Sequence, residues 1–424
     1  MIKFLIKGLM RDSSRSRIPL IVVSLGVMLT VLLHAYLKGF MGDTIEINAR
    51  FSTGHVKVMT RAYSENSDQK PNDLALLNSS VMKDQLEKQY PQMNWAERIE
   101  FGGLIDVPDD NGETRSQGPA FGIGIDLFTS GAGESDRLNL AKSLVIGKIP
   151  QKAGEILLSD EFAKKLKVKP GDRITFIGST MYNSMSIYNL MLAGTISFGN
   201  EILDRGAMIA DLNDVRSVLD MQDASGEILG FFRDGFYNDE DAIVIADSFN
   251  RATGNMNDEF APVMLTLGSQ GSMGQYVKMA DYWANYIALV FVFAMSLVLW
   301  NAGLLGGLRR YGEFGVRLAM GEEKGHVFRT LLYESVIIGI AGSVAGTLTG
   351  LFFAWLIQKY GIDISGLMKG SSLMMPSVIK ARITPADYYL GFIPGLISTV
   401  VGTMLSGAGI YRRQTAGLFR ELEA

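Results

Sequence analysis

Residues 282–321 read YWANYIALVFVFAMSLVLWNAGLLGGLRRYGEFGVRLAMG, and they change character at one point. The first part, 282–308, carries no charge over twenty-seven residues, whereas 309–321 carries three arginines and one glutamate. An uncharged run longer than the ~20 residues that a helix needs to cross a bilayer core predicts a membrane-spanning helix. The charged residues that follow predict that this helix ends at a polar surface.

Three other uncharged runs have a similar length: Ile18–Leu37, Ser335–Gln358 and Tyr388–Tyr411. The chain of 424 residues is 47% hydrophobic, and its mean hydropathy is +0.16. The sequence therefore predicts an integral membrane protein with four transmembrane α-helices. A basic leader precedes the first run, as in a signal peptide. However, the run is longer than the usual ~7–15-residue apolar region and no A-x-A site follows it, which favours an uncleaved anchor.

Lysine and arginine residues set the predicted orientation. Residues 1–17 carry five of them, 309–330 five and 412–424 three, against four in the other short loop, 358–386. We therefore expect both termini and the 309–330 loop in the cytoplasm. The predicted segments are N-tail 1–17, transmembrane helix 18–40, outer domain 41–278, transmembrane helix 279–308, cytoplasmic loop 309–330, transmembrane helix 331–357, outer loop 358–386, transmembrane helix 387–411 and C-tail 412–424.

The long connection between the first two helices is acidic. Residues 41–281 contain 22 Lys and Arg against 35 Asp and Glu, a net charge of −13. This charge argues against a nucleic-acid partner. The chain has no cysteine, which excludes a disulfide framework and any cysteine zinc site.

Local patterns within the connection predict both strands and helices. GHVKVMT at 54–60 alternates as a strand does, and Ser79 or Ser80 is a candidate N-cap for a helix. Residues 154–177 combine a short strand, an N-cap at Ser159, a turn and a second strand. We therefore expect a large α+β extracytoplasmic domain between helices 1 and 2.

The stretch STMYNSMSIYNLMLAGT at 179–195 is rich in methionine and tyrosine. Met181, Tyr182, Met185 and Tyr188 form a candidate contact loop for a periplasmic partner or cargo, because such side chains adapt to apolar surfaces. Half-buried packing against a neighbouring strand is the commoner alternative. The sequence does not show whether the loop is exposed.

The motifs of several enzyme and transporter classes are absent. No G-x-x-x-x-G-K-[ST] phosphate-binding loop occurs, so we expect no ATP hydrolysis by this chain. The three histidines, His34, His55 and His326, lack H-E-x-x-H spacing, and we predict structural roles for them, no catalytic residue and no metal site. Apart from His34, near the outer end of its helix, the apolar runs carry no ionisable residue, and this lack argues against an ion-driven transporter.

Small residues recur at every fourth position in two apolar runs. Gly342, Gly346 and Gly350 form one row, and Gly391 and Gly395 begin another. Such rows let helix backbones approach closely, either within one chain or between two chains, and the first arrangement is the commoner.

Asn301 to Gly321, NAGLLGGLRRYGEFGVRLAMG, and Tyr333 to Gly346, YESVIIGIAGSVAG, resemble the signature of the FtsX-like permease family. This family includes ABC transporter permeases of the MacB and LolC/LolE types. The stretch Gly147 to Gly178 is similar to an element of the family's periplasmic domain, the MacB core type. In the signature, Asn301 stands on the helix before the loop, and we assign it to helix packing.

The resemblance implies a permease subunit in a bacterial inner membrane. It implies a cytoplasmic ABC ATPase dimer as partner, which binds ATP and magnesium, and a second permease copy in a homodimer or related heterodimer. The chain begins shortly before its first helix, so we expect the ATPase to be a separate polypeptide and this chain to hold no cofactor. The implied cargo is a lipoprotein or another amphiphile taken from the outer face of the membrane, and membrane lipids are a further partner.

The family's loop after helix two rests on the ATPase, and the residues here suit a short amphipathic helix. Glu313 and Arg317 are spaced for an ion pair, Phe314 and Leu318 share a face, and Gly321 suits a helix stop. The alternative is an ordinary basic helix at the membrane surface. The predicted coupling residues are Arg309, Arg310, Glu313, Phe314, Gly315, Arg317, Leu318 and Gly321.

Two other functions keep the same fold. One is a MacB-like efflux permease that works with an adaptor and an outer-membrane channel. The other is an FtsX-like signal transmitter that activates a cell-wall hydrolase. The 178–189 loop is shorter than in LolC-like permeases and has no proline, so contact with a periplasmic chaperone stays open.

Overall fold

The computed structural model describes residues 13–109, 111–129, 133–199, 201–253, 258–271, 273–308, 311–363 and 378–412. Within these ranges the chain forms two compact units. We call residues 13–43, 278–362 and 378–412 the helical unit and residues 44–277 the α+β unit.

The described α-helices are α1 (Ser13–Asn48), α2 (Arg61–Glu65), α3 (Ser79–Gln89), α4 (Glu134–Arg137), α5 (Leu140–Ser143), α6 (Asp160–Leu166), α7 (Glu201–Asp204), α8 (Leu212–Leu219), α9 (Asp239–Thr253), α10 (Met273–Leu308), α11 (Tyr311–Ala319), α12 (Lys324–Tyr360) and α13 (Thr399–Arg412). The described strands are β1 (Val56–Thr60), β2 (Leu76–Leu77), β3 (Met93–Pro108), β4 (Thr114–Ile125), β5 (Leu144–Gly147), β6 (Glu155–Ser159), β7 (Arg173–Ser179), β8 (Met185–Ile196), β9 (Ala207–Asp211), β10 (Ala224–Ser225), β11 (Glu227–Phe232), β12 (Pro262–Thr266), β13 (Ile362–Asp363) and β14 (Val378–Ile379).

Among the described residues, three helical segments are long and apolar enough to cross a membrane: Arg17–Thr53, Lys324–Tyr360 and Pro385–Ala408. Helix α10 adds a shorter apolar stretch, Asn285–Asn301. Helix α1 continues to Asn48, beyond the predicted end at 40, because the intervening residues include no proline to stop it. The predicted runs 18–37, 282–308 and 335–358 each lie wholly within one α-helix.

The last apolar segment is not the continuous α-helix that the sequence predicted for 387–411. A 3₁₀ turn covers Pro385–Tyr388, and a π-helical turn covers Ile393–Ser398 before α13 begins. Pro394 explains the break, because proline has no amide proton and its ring displaces the carbonyl four residues earlier. Widening the turn to π geometry accommodates this loss.

The helical unit is held together by close backbone approach along the first glycine row. A Cβ at Gly342 would lie 2.6 Å from Val23 of α1, and one at Gly346 would lie 2.5 Å from the carbonyl oxygen of Ser24. Only glycine fits at such distances. Helices α1 and α12 therefore pack within one chain at this row.

Six strands of the α+β unit form a closed circuit. Strand β3 pairs with β4, which pairs with β9, then β6, β8 and β7, and β7 returns to β3. The β4–β9 and β6–β8 pairs are parallel and the others antiparallel. Closure leaves few unpaired edges, which are the usual sites of unwanted strand association.

The unit 154–177 folds as the sequence predicts. Ser159 caps helix α6 by accepting a hydrogen bond from the Phe162 amide at 3.1 Å. Phe162 and Leu166 are buried, and the Lys169 amide donates to the Asp172 carboxylate at 2.9 Å in the turn to β7. These local signals succeed because each bond joins residues close in sequence.

The first half of β3 continues the sheet through β11, β1 and β12. Helices α3 and α9 cover this part, and their Leu86 and Phe249 join a core with Val56, Trp95 and Ile228. Strand β1 is buried on both faces rather than one. The domain is α+β, as expected.

The N-cap predicted for α3 is wrong. Neither serine hydroxyl caps the helix, and the residue before it is Asn78 in a left-handed conformation. The Ser80 amide instead donates to the carboxylate of Asp223 at 3.1 Å, and the Ser79 amide donates to the Asp223 carbonyl at 3.0 Å. A capping group 143 positions away in sequence leaves no local signal.

Candidate functional site

Helix α11 is the short amphipathic helix predicted after α10. Phe314 is 1% exposed and packs against Val327 and Leu331 of α12, with Leu318 at the edge of the same cluster. Phe314 and Leu318 are four residues apart, so both side chains lie on one face of the helix. This face fixes α11 to the start of α12.

The opposite side of α11 exposes apolar side chains. Val316 is 47% exposed and Met320, just after the helix, is 76% exposed. They are four residues apart, as are the buried positions on the other side. Neither residue is among the predicted coupling residues, although their four-residue spacing was visible in the sequence.

The end of α11 is a Schellman motif. Gly321 has φ +93°, its amide donates to the Leu318 carbonyl at 3.1 Å, and the Glu322 amide donates to the Arg317 carbonyl at 3.1 Å. This is the stop predicted for Gly321, where a side chain would strain the backbone.

Arg317 forms a two-bond ion pair with Glu322, with Nε and Nη2 at 2.6 and 2.7 Å from the carboxylate oxygens. The partner predicted from the sequence was Glu313. His326 lies 3.5 Å from the same carboxylate. Glu313 is half-buried and Gly315 is buried, whereas Arg309 and Arg310 lie outside the described residues.

The second glycine row also packs within the chain. A Cβ at Gly391 would meet Val27 and Thr347, one at Gly395 would meet Ser343 and Val27, and one at Gly350 would lie 3.0 Å from Val31. Asn301, by contrast, is exposed and its side-chain amide donates to the Leu297 carbonyl of its own helix at 3.1 Å.

The methionine- and tyrosine-rich loop is a hairpin with an exposed apolar side. Tyr182 is 68%, Met185 71% and Tyr188 38% exposed, whereas Met181 is buried and its amide donates to the Leu219 carbonyl at 2.8 Å. Ile187 is 62% exposed and was missed. The loop therefore combines both alternatives, because Met181 is buried while Tyr182, Met185 and Tyr188 are exposed.

Strand alternation explains this surface. Met185, Ile187 and Met191 are two or four residues apart and point outward, while Leu190 and Leu192 are buried. Period two is the rule for a strand with one covered face. The composition of the loop was visible in the sequence, but which face the fold covers was not.

The α+β unit also buries an ion cluster that no sequence pattern indicated. Glu227 is fully buried between Lys57 at 2.9 Å and Lys70 at 3.4 Å, and Lys70 lies 2.9 Å from Glu100. Burial alone raises the pKa of Glu227, but the two ammonium groups outweigh it and hold the pKa below its usual range. Burial and the nearby carboxylates raise the pKa of Tyr63.

Two of the three histidines, His55 and His326, have polar partners. His55 accepts from the Phe232 amide at 2.9 Å and contacts the Glu46 carboxylate at 2.8 Å. His326 lies near Glu322, as described above. Among the described residues, no group of three or more His, Asp or Glu could hold a metal ion.

Residues 285–415, which include α11 and both glycine rows, match the family model of the FtsX-like permease C-terminal domain. The chain carries an FtsX-like permease domain. This permease domain and the apolar helices make the chain a membrane protein.

A curated relative of the chain is the macrolide export ATP-binding/permease protein MacB 1/2 of Paracoccus denitrificans (strain Pd 1222), 26% identical over 104 residues. The match covers 24% of this chain and 16% of that protein, so the chain spans about a sixth of the relative's length. Among solved structures, the periplasmic region of MacB from Actinobacillus actinomycetemcomitans is similar with a TM-score of 0.36 and 12% identity. The similar region covers 55% of this chain and 95% of the MacB periplasmic chain.

Proposed function

We propose that the chain is the permease subunit of an ABC transporter of the MacB or LolC/LolE type. It couples ATP hydrolysis by a separate ATPase to movement on the far side of a bacterial inner membrane. The observation that carries this proposal is α11: one face is fixed to α12 through Phe314, and the other exposes Val316 and Met320. An exposed apolar pair beside a charged helix end suits docking of a protein partner.

The coupling step follows from how α11 is attached. The Phe314 contact, the Schellman stop at Gly321 and the Arg317–Glu322 pair join α11 to α12 with little freedom. A push on α11 by the ATPase dimer is therefore passed to α12 as a rigid-body movement. The movement then reaches α1 through the row Gly342, Gly346 and Gly350, because α12 and α1 are in direct contact there.

The proposed cargo is a lipoprotein or another amphiphile drawn from the membrane lipids. The support is the hairpin of β7 and β8, in which the apolar side chains of Tyr182, Met185, Ile187 and Tyr188 are all exposed. Methionine and tyrosine adapt to varied apolar shapes. We propose that this surface contacts the cargo or a periplasmic partner, and that a second permease copy completes the transporter.

The coupling role is tested by Val316→Asp in the complex of full chain and ATPase. A buried carboxylate at the interface is costly, so we expect ATP turnover stimulated by the permease to fall at least ~10-fold, equivalent to about 1.4 kcal/mol. Val244→Asp on α9 is the matched control, since Val244 is an exposed valine of the α+β unit. Equal ATP turnover in the two variants contradicts the assignment of α11.

The cargo is tested separately by depleting the protein in cells. Mislocalised lipoproteins support the proposal. Normal lipoprotein sorting with lost export of an amphiphilic drug supports the MacB-like efflux alternative, and a cell-wall hydrolase that fails to activate supports the FtsX-like alternative. The coupling residues keep their role in each case, so this experiment and the ATPase assay fail independently.

A further inference from the structure

Helix α1 enters the α+β unit through a short π-helical turn, Ala49–Thr53, and we call this turn the joint. The last carbonyl groups of a helix have no partner within the helix, so other groups must satisfy them. Two side chains from distant parts of the same unit do so here. Arg98 of β3 donates from Nη1 to the Phe51 carbonyl at 2.9 Å, and Gln270 donates from Nε2 to the Thr53 carbonyl at 3.0 Å.

Arg98 brings a buried charge to the joint. Its side chain is 1% exposed, and a carboxylate oxygen of Glu134, also 1% exposed, lies 2.7 Å from its Nε. Arg137 pairs with the second oxygen of Glu134. Burial alone raises the pKa of Glu134, but the two guanidinium groups outweigh burial and hold this pKa below its usual range. Glu134 is therefore a carboxylate that orients Arg98, whose positive charge is favoured at the carbonyl end of a helix.

The burial of Arg98 is costly for the fold. Nη2 of Arg98 is buried and has no hydrogen-bond partner in the part of the chain that the structure describes. A buried ion pair is rarely the most stable way to join two elements, because apolar side chains of similar volume often stabilise as much or more. Such exceptions occur mainly at sites under functional constraint. The cost therefore points to a geometry that Arg98 fixes, beyond its contribution to stability.

The joint is also fixed to the segment that leads into α10. The Leu267 amide donates to the carbonyl of His55, two residues after the joint, at 3.0 Å. Leu267 packs with Ala49 of the joint and with Val277 in one buried cluster. Val277 lies in the first part of α10 and still belongs to the α+β unit. The end of α1, strand β3 and the start of α10 therefore meet at the joint.

We infer that Arg98 and Gln270 are positioning residues that make the joint rigid, so that a movement of α1 carries the α+β unit with it. The inference rests on the proposed function, in which the ATPase moves α1 through α11 and α12. The two side-chain bonds hold the π-helical turn in one geometry, because without them its free carbonyl groups would bond to water and the turn would gain other geometries. A rigid connection transmits a displacement between elements, whereas a loose connection absorbs it.

The joint is tested by pulsed electron spin resonance on the full chain with its ATPase in lipid nanodiscs. The chain has no cysteine, so spin labels on Asn48→Cys of α1 and Gln117→Cys of β4 are unique, and both positions are exposed. Labelled chains are diluted with unlabelled chains so that each complex holds at most one labelled copy. We expect one label-to-label distance that is the same with and without vanadate-trapped ATP. In Arg98→Met and in Gln270→Leu, the distribution should broaden at least ~2-fold and shift when ATP is trapped.

Arg115→Met is the matched control. The exposed Arg115 donates from Nη2 to the Lys167 carbonyl at 3.2 Å, so this variant loses a bond of the same kind that joins elements other than α1. It should leave the distance unchanged. ATP turnover in all three variants should stay within about twofold of the wild type, because α11 and its contact with α12 are intact.

Three results overturn the inference: a wild-type distance that shifts with trapped ATP, a distribution unchanged in both joint variants, or broadening in those variants without an ATP-dependent shift. The third result marks a purely structural role. If Arg98→Met fails to fold, Gln270→Leu alone decides. The proposed function fails separately, when Val316→Asp leaves ATP turnover unchanged.

Discussion

At the scale of single residues, the buried charges of the α+β unit affect its stability more than the exposed charges do. Glu227 has lost its water and depends on Lys57 and Lys70. Removing one member of a buried ion cluster leaves the others uncompensated, and that cost exceeds the value of the pair itself. Surface pairs such as Lys83–Glu87, 3.9 Å apart, carry no such cost.

We therefore expect Glu227→Gln to lower the free energy of unfolding of the α+β unit by about 3 kcal/mol near neutral pH. Because the folded-state pKa of Glu227 is lowered, its contribution is present above the unfolded pKa and disappears as pH falls through the folded pKa. The measurement is denaturant unfolding of both proteins at several pH values. Glu87→Gln is the control, with a loss of at most about 0.5 kcal/mol. Equal losses in the two variants would contradict this account.

At the scale of elements, helix packing in the helical unit rests on the absence of side chains. Gly346 lies where a Cβ would come 2.5 Å from the Ser24 carbonyl and 2.7 Å from Val27. A Cβ built at Gly42 of α1 would have no other atom within 4 Å. Both are helical, so alanine should improve helix propensity equally, and only the packing differs.

Gly346→Ala should therefore lower the thermal unfolding midpoint of the chain in detergent, with an overpacking cost of about 1–3 kcal/mol. Gly42→Ala should be neutral or raise stability by up to about 1 kcal/mol through helix propensity. Differential scanning fluorimetry of the two variants measures the contrast. A Gly346→Ala protein as stable as Gly42→Ala would show that α1 and α12 do not pack at this row.

At the scale of the whole molecule, exposed apolar side chains form two different kinds of surface. The apolar residues of the long helices face lipid or other helices, whereas the apolar face of the β7–β8 hairpin belongs to the α+β unit. An exposed apolar patch on a unit with its own buried cores indicates a contact surface. The proposed cargo contact depends on this distinction.

The double variant Met185→Ser with Ile187→Ser should keep the fold and lose function. Both side chains are more than half exposed, so the thermal midpoint should change by less than ~2 °C. Release or transport of the amphiphilic cargo should fall several-fold. Leu190→Ser, on the buried face of the same strand, should instead unfold the α+β unit. Unchanged transport by a folded double variant would remove the hairpin from the mechanism.

The sequence by itself determined the features that depend on neighbouring residues. The four apolar runs, the Ser159 cap, the stop at Gly321 and the α+β character of 44–277 follow from local spacing, because helices, caps and turns form bonds within a few residues. The small residues of the glycine rows were visible too, since their period is that of a helix.

Only the tertiary structure decided which distant residues meet. The Asp223 cap of α3, the exposed side of the hairpin and the buried cluster around Glu227 depend on how elements pack. His34 shows the same limit: its pattern suggested an isolated structural residue, and its partner Asp387 stands 353 positions away. Side-chain partners across such distances are set by the packing of whole elements, and no local spacing encodes them.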